Sequence, residues 1–211
     1  MGSFLRRRVG LELCRVLARP VGAALHTLQR GGGFTYRALL EPEALACCAD
    51  AELELRPDAV QAAFARGDVC LAALEGARVV GYVWLAFGPA PHTRGTWVHF
   101  DPQARYSYKK FVRPAYRGRR IAHGLNALAD APVFVRRRQF TVHFVNLHNQ
   151  ASLKSTTRSG SRTVGYAGIL RWGRLALTFR SPGARDYGFR FVAQAPRPAA
   201  PRSFSRASSR G

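Results

Sequence analysis

The chain has 211 residues, 47% of them hydrophobic and 11% aromatic. That suits one packed domain with tails and excludes a wholly disordered chain. Thirty-three Lys and Arg against twelve Asp and Glu give a formal net charge of +21, which points to polyanionic partners: nucleic acid, an anionic membrane or a phosphate-rich co-substrate. Charge alone does not choose among them. Ten of the twelve acids lie at or before Asp101, and no Glu follows Glu75, so the second half is strongly cationic. Cys14, Cys47, Cys48 and Cys70 make no Cys-x-x-Cys pair and read as ordinary thiols of a cytoplasmic protein, with no metal site. No apolar run reaches the roughly 18–20 residues that a transmembrane helix needs.

Residues 1–32 read as a separate basic segment. Leu13, Leu17, Val21, Ala24, Leu25 and Leu28 follow helical spacing among arginines, with Pro20 as a kink. Such a segment can lie on an anionic membrane surface through residues 1–30, or pack on the domain or a second subunit. Gly31 to Gly33 reads as a hinge into a domain over residues 33–192. There the pattern predicts a strand at 34–40, helices at 41–51 and 57–66, each with a proline in its first turn, and a hairpin of strands at 69–74 and 78–87 turning at Glu75-Gly76-Ala77. Residues 88–104 hold three prolines and read as a loop or irregular strand. A strand at 106–112 runs into Arg113-Pro114, and a helix at 119–129 has Ile121, Leu125 and Leu128 on one face. A strand at 139–145, a short polar helix at 149–159 and strands at 162–170 and 174–179 follow. Residues 193–211, rich in Pro, Ala, Ser and Arg without acids, read as a disordered tail. The order predicts an α/β fold with a mixed, mostly antiparallel twisted central sheet flanked by helices.

The stretch Tyr106 to Leu125 is the most informative: a strand enters a basic, glycine-containing turn that opens a helix. Helix N-termini present unpaired N–H groups and a positive dipole end, which suits a pyrophosphate, and Arg117, Arg119 and Arg120 add charge. A plain strand–turn–helix with solvated arginines fits these residues equally well.

Phe-Val-Arg-Pro-Ala-Tyr-Arg-Gly at 111–118 resembles the core motif of the GNAT acetyltransferases, in which a bulged strand precedes Arg/Gln-x-x-Gly-x-Gly/Ala. Arg117 and Ala122 match, and Arg120 stands where the family has its central glycine. Asn149-Gln-Ala-Ser152, then Gly160 and Val164-Gly165, resembles the family's second helix, with Ser161 in place of Phe and Thr156 where many members carry a Tyr acid. The resemblance covers roughly residues 34–181. It implies a GNAT-like fold and transfer of an acetyl or other acyl group from acetyl-CoA, or another acyl-CoA, directly to an amine in a ternary complex. Arg117, Gly118, Arg119, Arg120, Ile121 and Ala122 would cradle the pyrophosphate, with Arg120 donating its N–H from ordinary helical angles. Asn149 and Ser152 would meet the pantetheine arm, and backbone groups of Phe111 and Val112 would polarise the thioester carbonyl.

The acid and base are not evident. Tyr108, His143 and Thr156 are the candidates carried forward as catalytic groups, with His99 and His123 as further histidines near the motif. Tyr82, Trp84, Trp97, Tyr106 and Tyr108 suit either a core or an acceptor pocket. The amine acceptor is not readable. Two rival readings stand: a basic nucleic-acid-binding or ribosome-associated protein, and a non-catalytic acyl-CoA-binding domain.

Overall fold

The hairpin that anchors the fold turns at Gly76, and its two strands carry near-continuous apolar runs because both of their faces are covered. The structure is a computed structural model that describes residues 9–23, 33–93, 95–172 and 175–193. In chain order the elements are β1 (Val9–Pro20), β2 (Thr35–Leu39), α1 (Glu41–Ala46), α2 (Pro57–Ala65), β3 (Val69–Glu75), β4 (Arg78–Ala86), β5 (Ala90–Pro91) and β6 (Trp97–His99). They continue with β7 (Ala104–Val112), α3 (Ile121–Ala129), α4 (Pro132–Val135), β8 (Phe140–Asn146), α5 (Gln150–Arg158), β9 (Arg162–Trp172), β10 (Leu175–Arg180), α6 (Pro182–Asp186) and β11 (Arg190–Val192).

Eight strands form one sheet in the order β10-β9-β1-β8-β7-β4-β3-β2. Every neighbouring pair is antiparallel except β7 with β8. The mixed, mostly antiparallel sheet expected from the element order is therefore present. Helices α1 and α2 cover one face of β3 and β4, packing Ala44, Val60 and Ala63 against Cys70, Tyr82 and Trp84. On the other face α3 packs Ile121, Leu125 and Ala129 against Leu71, Val83 and Leu85. Gly124 permits that approach: a Cβ there would meet the Tyr36 ring at 2.2 Å.

The N-terminal reading needs correction. Residues 9–20 are not a detached helix. They are β1, an interior strand paired with β8 on one side and β9 on the other. Cys14, Val16 and Ala18 enter the main core, and Leu17, on the opposite face of the strand, packs with Val145 and Leu153. Leu11, Leu13 and Leu17 also satisfy the two-residue period of a strand, and β-branched Val9 and Val16 favour one. Partners on both edges then decide between the two periods. Arg19 is buried and bonds Asp130 at the end of α3. The described domain thus begins by Val9, not at residue 33, and β1 is unavailable as a membrane-lying helix. The rest of that reading, residues 1–8 and 24–32, and all of the 193–211 tail beyond Ala193, lies outside the described residues.

Three further differences are local. The 41–51 helix is α1 followed by two 3₁₀ turns, Cys47–Ala49 and Ala51–Leu53. The proline-rich 88–104 stretch contributes β5 and β6 to a second sheet, ordered β11-β6-β5. The short helices α4 and α6 and strand β11 went unread because each spans only three to five residues. All four cysteines are free, with Cys14 and Cys70 buried. No helix among the described residues is long and apolar enough to cross a membrane.

Candidate active site

Strands β7 and β8 pair only from Ala104–Phe140 to Tyr106–Val142. Beyond that point β7 runs on to Val112 and β8 to Asn146 without ladder pairs between them. Diverging strands leave facing main-chain groups to be satisfied by a ligand or by water. β7 also carries a bulge there. Tyr82 lies opposite Phe111 and Trp84 opposite Tyr108, so Lys109 and Lys110 share one partner position, and Lys109 takes φ 48°. A cavity of about 560 Å³ opens at this fork, lined by residues 106–110 of β7, residues 143–146 of β8, α2 and α5.

The cavity brings together Tyr108, His143, Asn149, Ser152 and Thr156. It does not include Phe111 or Val112. Phe111 stacks on Tyr82 with ring centroids 5.6 Å apart, and Val112 packs in the α3 core. The main chain at the fork belongs instead to Lys109 and Lys110, which the motif reading missed because a bulge leaves no mark on sequence spacing.

Each candidate proton carrier has an observed partner or constraint. The Tyr108 hydroxyl donates to Asp68 Oδ2 at 2.7 Å, while Arg66 holds the same carboxylate at 2.7 Å. Burial, and then the Asp68 charge, push the Tyr108 phenol far up, so it stays protonated and committed to Asp68. Burial likewise raises Asp68. His143 lines the cavity, yet its Nε2 is buried without a hydrogen-bond partner. Burial, with the charges of Lys110 and Arg19 adding to it, brings its pKa to about 3, so it is neutral and too weak a base for neutral pH. Thr156 Oγ1 lies 2.9 Å from the Ser152 carbonyl and 3.0 Å from that of Leu153, so its proton serves its own helix. Asn149 caps α5 by accepting from Ser152 N at 3.0 Å, which leaves its side-chain amide to donate. His99 lies in β6, outside the cavity lining, and His123 lies in α3, where its ring bonds the Arg158 backbone of α5.

Two features of the cavity wall were not foreseen. Lys110 reaches Asn126 Oδ1 of α3 at 2.7 Å. The residue as a whole is exposed, and desolvation of its ammonium, followed by the Arg19 charge, lowers its pKa to about 8. His92, from the loop after β5, meets Glu12 of β1 at 2.8 Å. Eighty positions separate these two residues, and no local signal could have paired them.

The predicted pyrophosphate turn lies beside this fork, at the start of α3. Gly118 has φ +84° and Arg120 has φ 60° and ψ 16°. Arg120 therefore does not hold the ordinary helical angles expected of it. It sits in the left-handed region, where glycine is favoured. No side chain caps α3, so the first amides, at Ile121 and Ala122, have no acceptor within their own helix. Arg117, Arg119 and Arg120 are exposed around them. These residues fit an acyl-CoA pyrophosphate: uncapped amides, a positive dipole end and three cations at one turn.

The overall fold is shared with solved structures. The fold is that of the GNAT superfamily. A GCN5-related N-acetyltransferase from Kribbella flavida matches with a TM-score of 0.51 at 13% identity, over 89% of this chain and 65% of that one. A functionally unknown conserved protein from Staphylococcus epidermidis matches with a TM-score of 0.55 at 12% identity, over 78% and 63%. A tandem GNAT protein from the clavulanic acid biosynthesis pathway matches at 0.50 and 15%, over 82% and 55%. The chain thus spans about two thirds of the length of these proteins, or less. No protein-family model and no curated sequence matches it.

Proposed function

We propose that this GNAT-fold protein is an N-acyltransferase that moves an acetyl or other acyl group from coenzyme A to an amine by direct attack. The observation that carries the reading is the fork between β7 and β8, with its cavity of about 560 Å³ beside the uncapped start of α3. Acyl-CoA, as co-substrate, supplies the activated thioester. Arg117, Arg119 and the amides of Gly118 and residues 120–122 hold the diphosphate. Asn149 and Ser152 flank the pantetheine arm. Main-chain N–H groups at the Lys109–Lys110 bulge donate, in this reading, to the thioester carbonyl oxygen and stabilise developing negative charge. Tight placement of the two reactants in one cavity supplies much of the rate.

The test is thermal unfolding of the full chain with acetyl-CoA, using ATP and short RNA as polyanion controls. Acetyl-CoA raises the melting temperature in a concentration-dependent way through ligand linkage. Arg117→Ala reduces that shift by about tenfold in affinity, as loss of a charge-assisted bond predicts, with the unliganded melting temperature unchanged. A rise with RNA alone, or with all polyanions alike, would favour the nucleic-acid reading that a net charge of +21 also suits. Binding without turnover of any amine would favour a non-catalytic acyl-CoA-binding domain.

A further inference from the structure

An amine must lose a proton before it attacks, and Tyr108, His143 and Thr156 are all poorly set to take one. The His92–Glu12 pair is differently placed. His92 lines the cavity, its backbone N–H is fixed on the Thr96 carbonyl at 2.8 Å, and its ring packs edge-on to Phe144 at 4.9 Å and against Phe191 at 5.5 Å. Its Nε2 lies 2.8 Å from Glu12 Oε1. The hydrogen bond from His92, more than anything else, holds the Glu12 carboxyl below its ordinary range, so Glu12 is ionised and can only accept. Nε2 must therefore carry the hydrogen, and in neutral His92 the basic lone pair is on Nδ1.

We propose, resting on the acyltransferase reading, that His92, oriented by Glu12, is the general base for the acceptor amine. His92 Nδ1 takes one proton from the acceptor's ammonium. The freed amine lone pair forms the new C–N bond, the C–S bond breaks, and the second proton shed by nitrogen goes to the leaving thiolate. Glu12 keeps the imidazole in the right tautomer and offsets its positive charge, as a carboxylate does behind a catalytic histidine. The charged groups around the pair are few. Arg171 of β9 faces Glu12 and binds Thr96 Oγ1, while Arg66, Lys109 and Lys110 line the same cavity. Arg66 is committed to Asp68, and Lys110 to Asn126. Glu12 is contributed by β1, so the strand that completes the sheet also completes the catalytic pair.

The experiment assays full-length wild type, His92→Gln, Glu12→Gln and Lys110→Met for acetyl transfer from acetyl-CoA to a panel of primary amines: amino acids, polyamines, arylalkylamines and lysine peptides. Each protein is assayed across pH, with acetyl-CoA thermal shifts in parallel. His92→Gln lowers kcat by about 10²–10⁴-fold and abolishes the acidic limb of the pH–rate profile. It leaves the KM for acetyl-CoA and the thermal shift unchanged, because Gln can still bond Glu12. Glu12→Gln lowers kcat by more than about tenfold, toward the ~10⁴ of a mis-set tautomer. Wild-type rates and pH dependence in His92→Gln, loss of its acetyl-CoA shift, or disappearance of the limb in Lys110→Met instead would each overturn the assignment. If wild type binds acetyl-CoA yet acetylates no amine, the acyltransferase reading falls, and the base with it.

Discussion

Arg120 sits at φ 60° where a side chain is unwelcome. An L-residue in the left-handed region costs about 1–2 kcal/mol, and glycine there gives back about 0.5–1 kcal/mol in chain entropy. Arg120→Gly should therefore leave the melting temperature unchanged or raise it, whereas Arg120→Ala should not raise it. Thermal unfolding of the two variants reads the difference directly. His143 makes the opposite statement about pH. Its folded pKa, about 3, lies below the ordinary histidine value, so between the two the unfolded chain binds a proton that the folded chain refuses. Stability attributable to His143 falls as pH drops through that window, by up to about 1.4 kcal/mol per pH unit. Urea unfolding at pH 7, 6 and 5 should show a shallower loss in His143→Gln than in wild type.

At the scale of elements, β1 decides whether the sheet is one body. It has β8 on one edge and β9 on the other, so its removal would expose two strand edges and the Cys14, Val16 and Ala18 face at once. A chain lacking residues 1–20 should show no cooperative unfolding transition by circular dichroism. A folded truncation with the wild-type melting temperature would mean that β1 is dispensable. The elements with strong local signals were legible: the β3–β4 hairpin from its turn at Gly76, β7 and α3 from the strand–turn–helix pattern, α5 as a short polar helix. β1 was not, because Leu13 and Leu17 satisfy both a period of four and a period of two, and the arginines around them suggested a basic amphipathic helix. Lys109 and Lys110 were passed over for a similar reason: a bulge shifts register without altering composition, so attention fell on Phe111 and Val112, which do not line the cavity.

Across the whole molecule, one buried carboxylate joins three elements. Asp130, at the end of α3, accepts from Arg19 of β1 and from Arg105 of β7, and Arg105 also donates to Thr141 of β8 at 2.9 Å. All three members of this ionic cluster are buried. Removing one partner of such a cluster leaves uncompensated charge in the interior, at a cost of about 3–5 kcal/mol. Asp130→Asn should lower stability by that order in urea unfolding. The combined Arg19→Met, Arg105→Met and Asp130→Leu variant should recover most of it, because it buries no charge. Elsewhere the sheet is less finished. Leu11, Tyr166, Leu170, Trp172, Leu175, Leu177 and Phe179 share one face of β1, β9 and β10, and most of them are exposed.

The sequence by itself determined the mixed sheet, the order of most elements and the position of the strand–turn–helix that leads from β7 into α3. Those depend on apolar periodicity, turn residues and charge, which act over a few neighbouring positions. Only the tertiary structure decided that β1 is an interior strand, that the fork opens at Tyr106 and Val142, and that His92 meets Glu12 across 80 positions. Edge pairing, strand divergence and side-chain convergence are relations between distant segments. Their free energy comes from burial and hydrogen bonding that exist only once the segments are packed together.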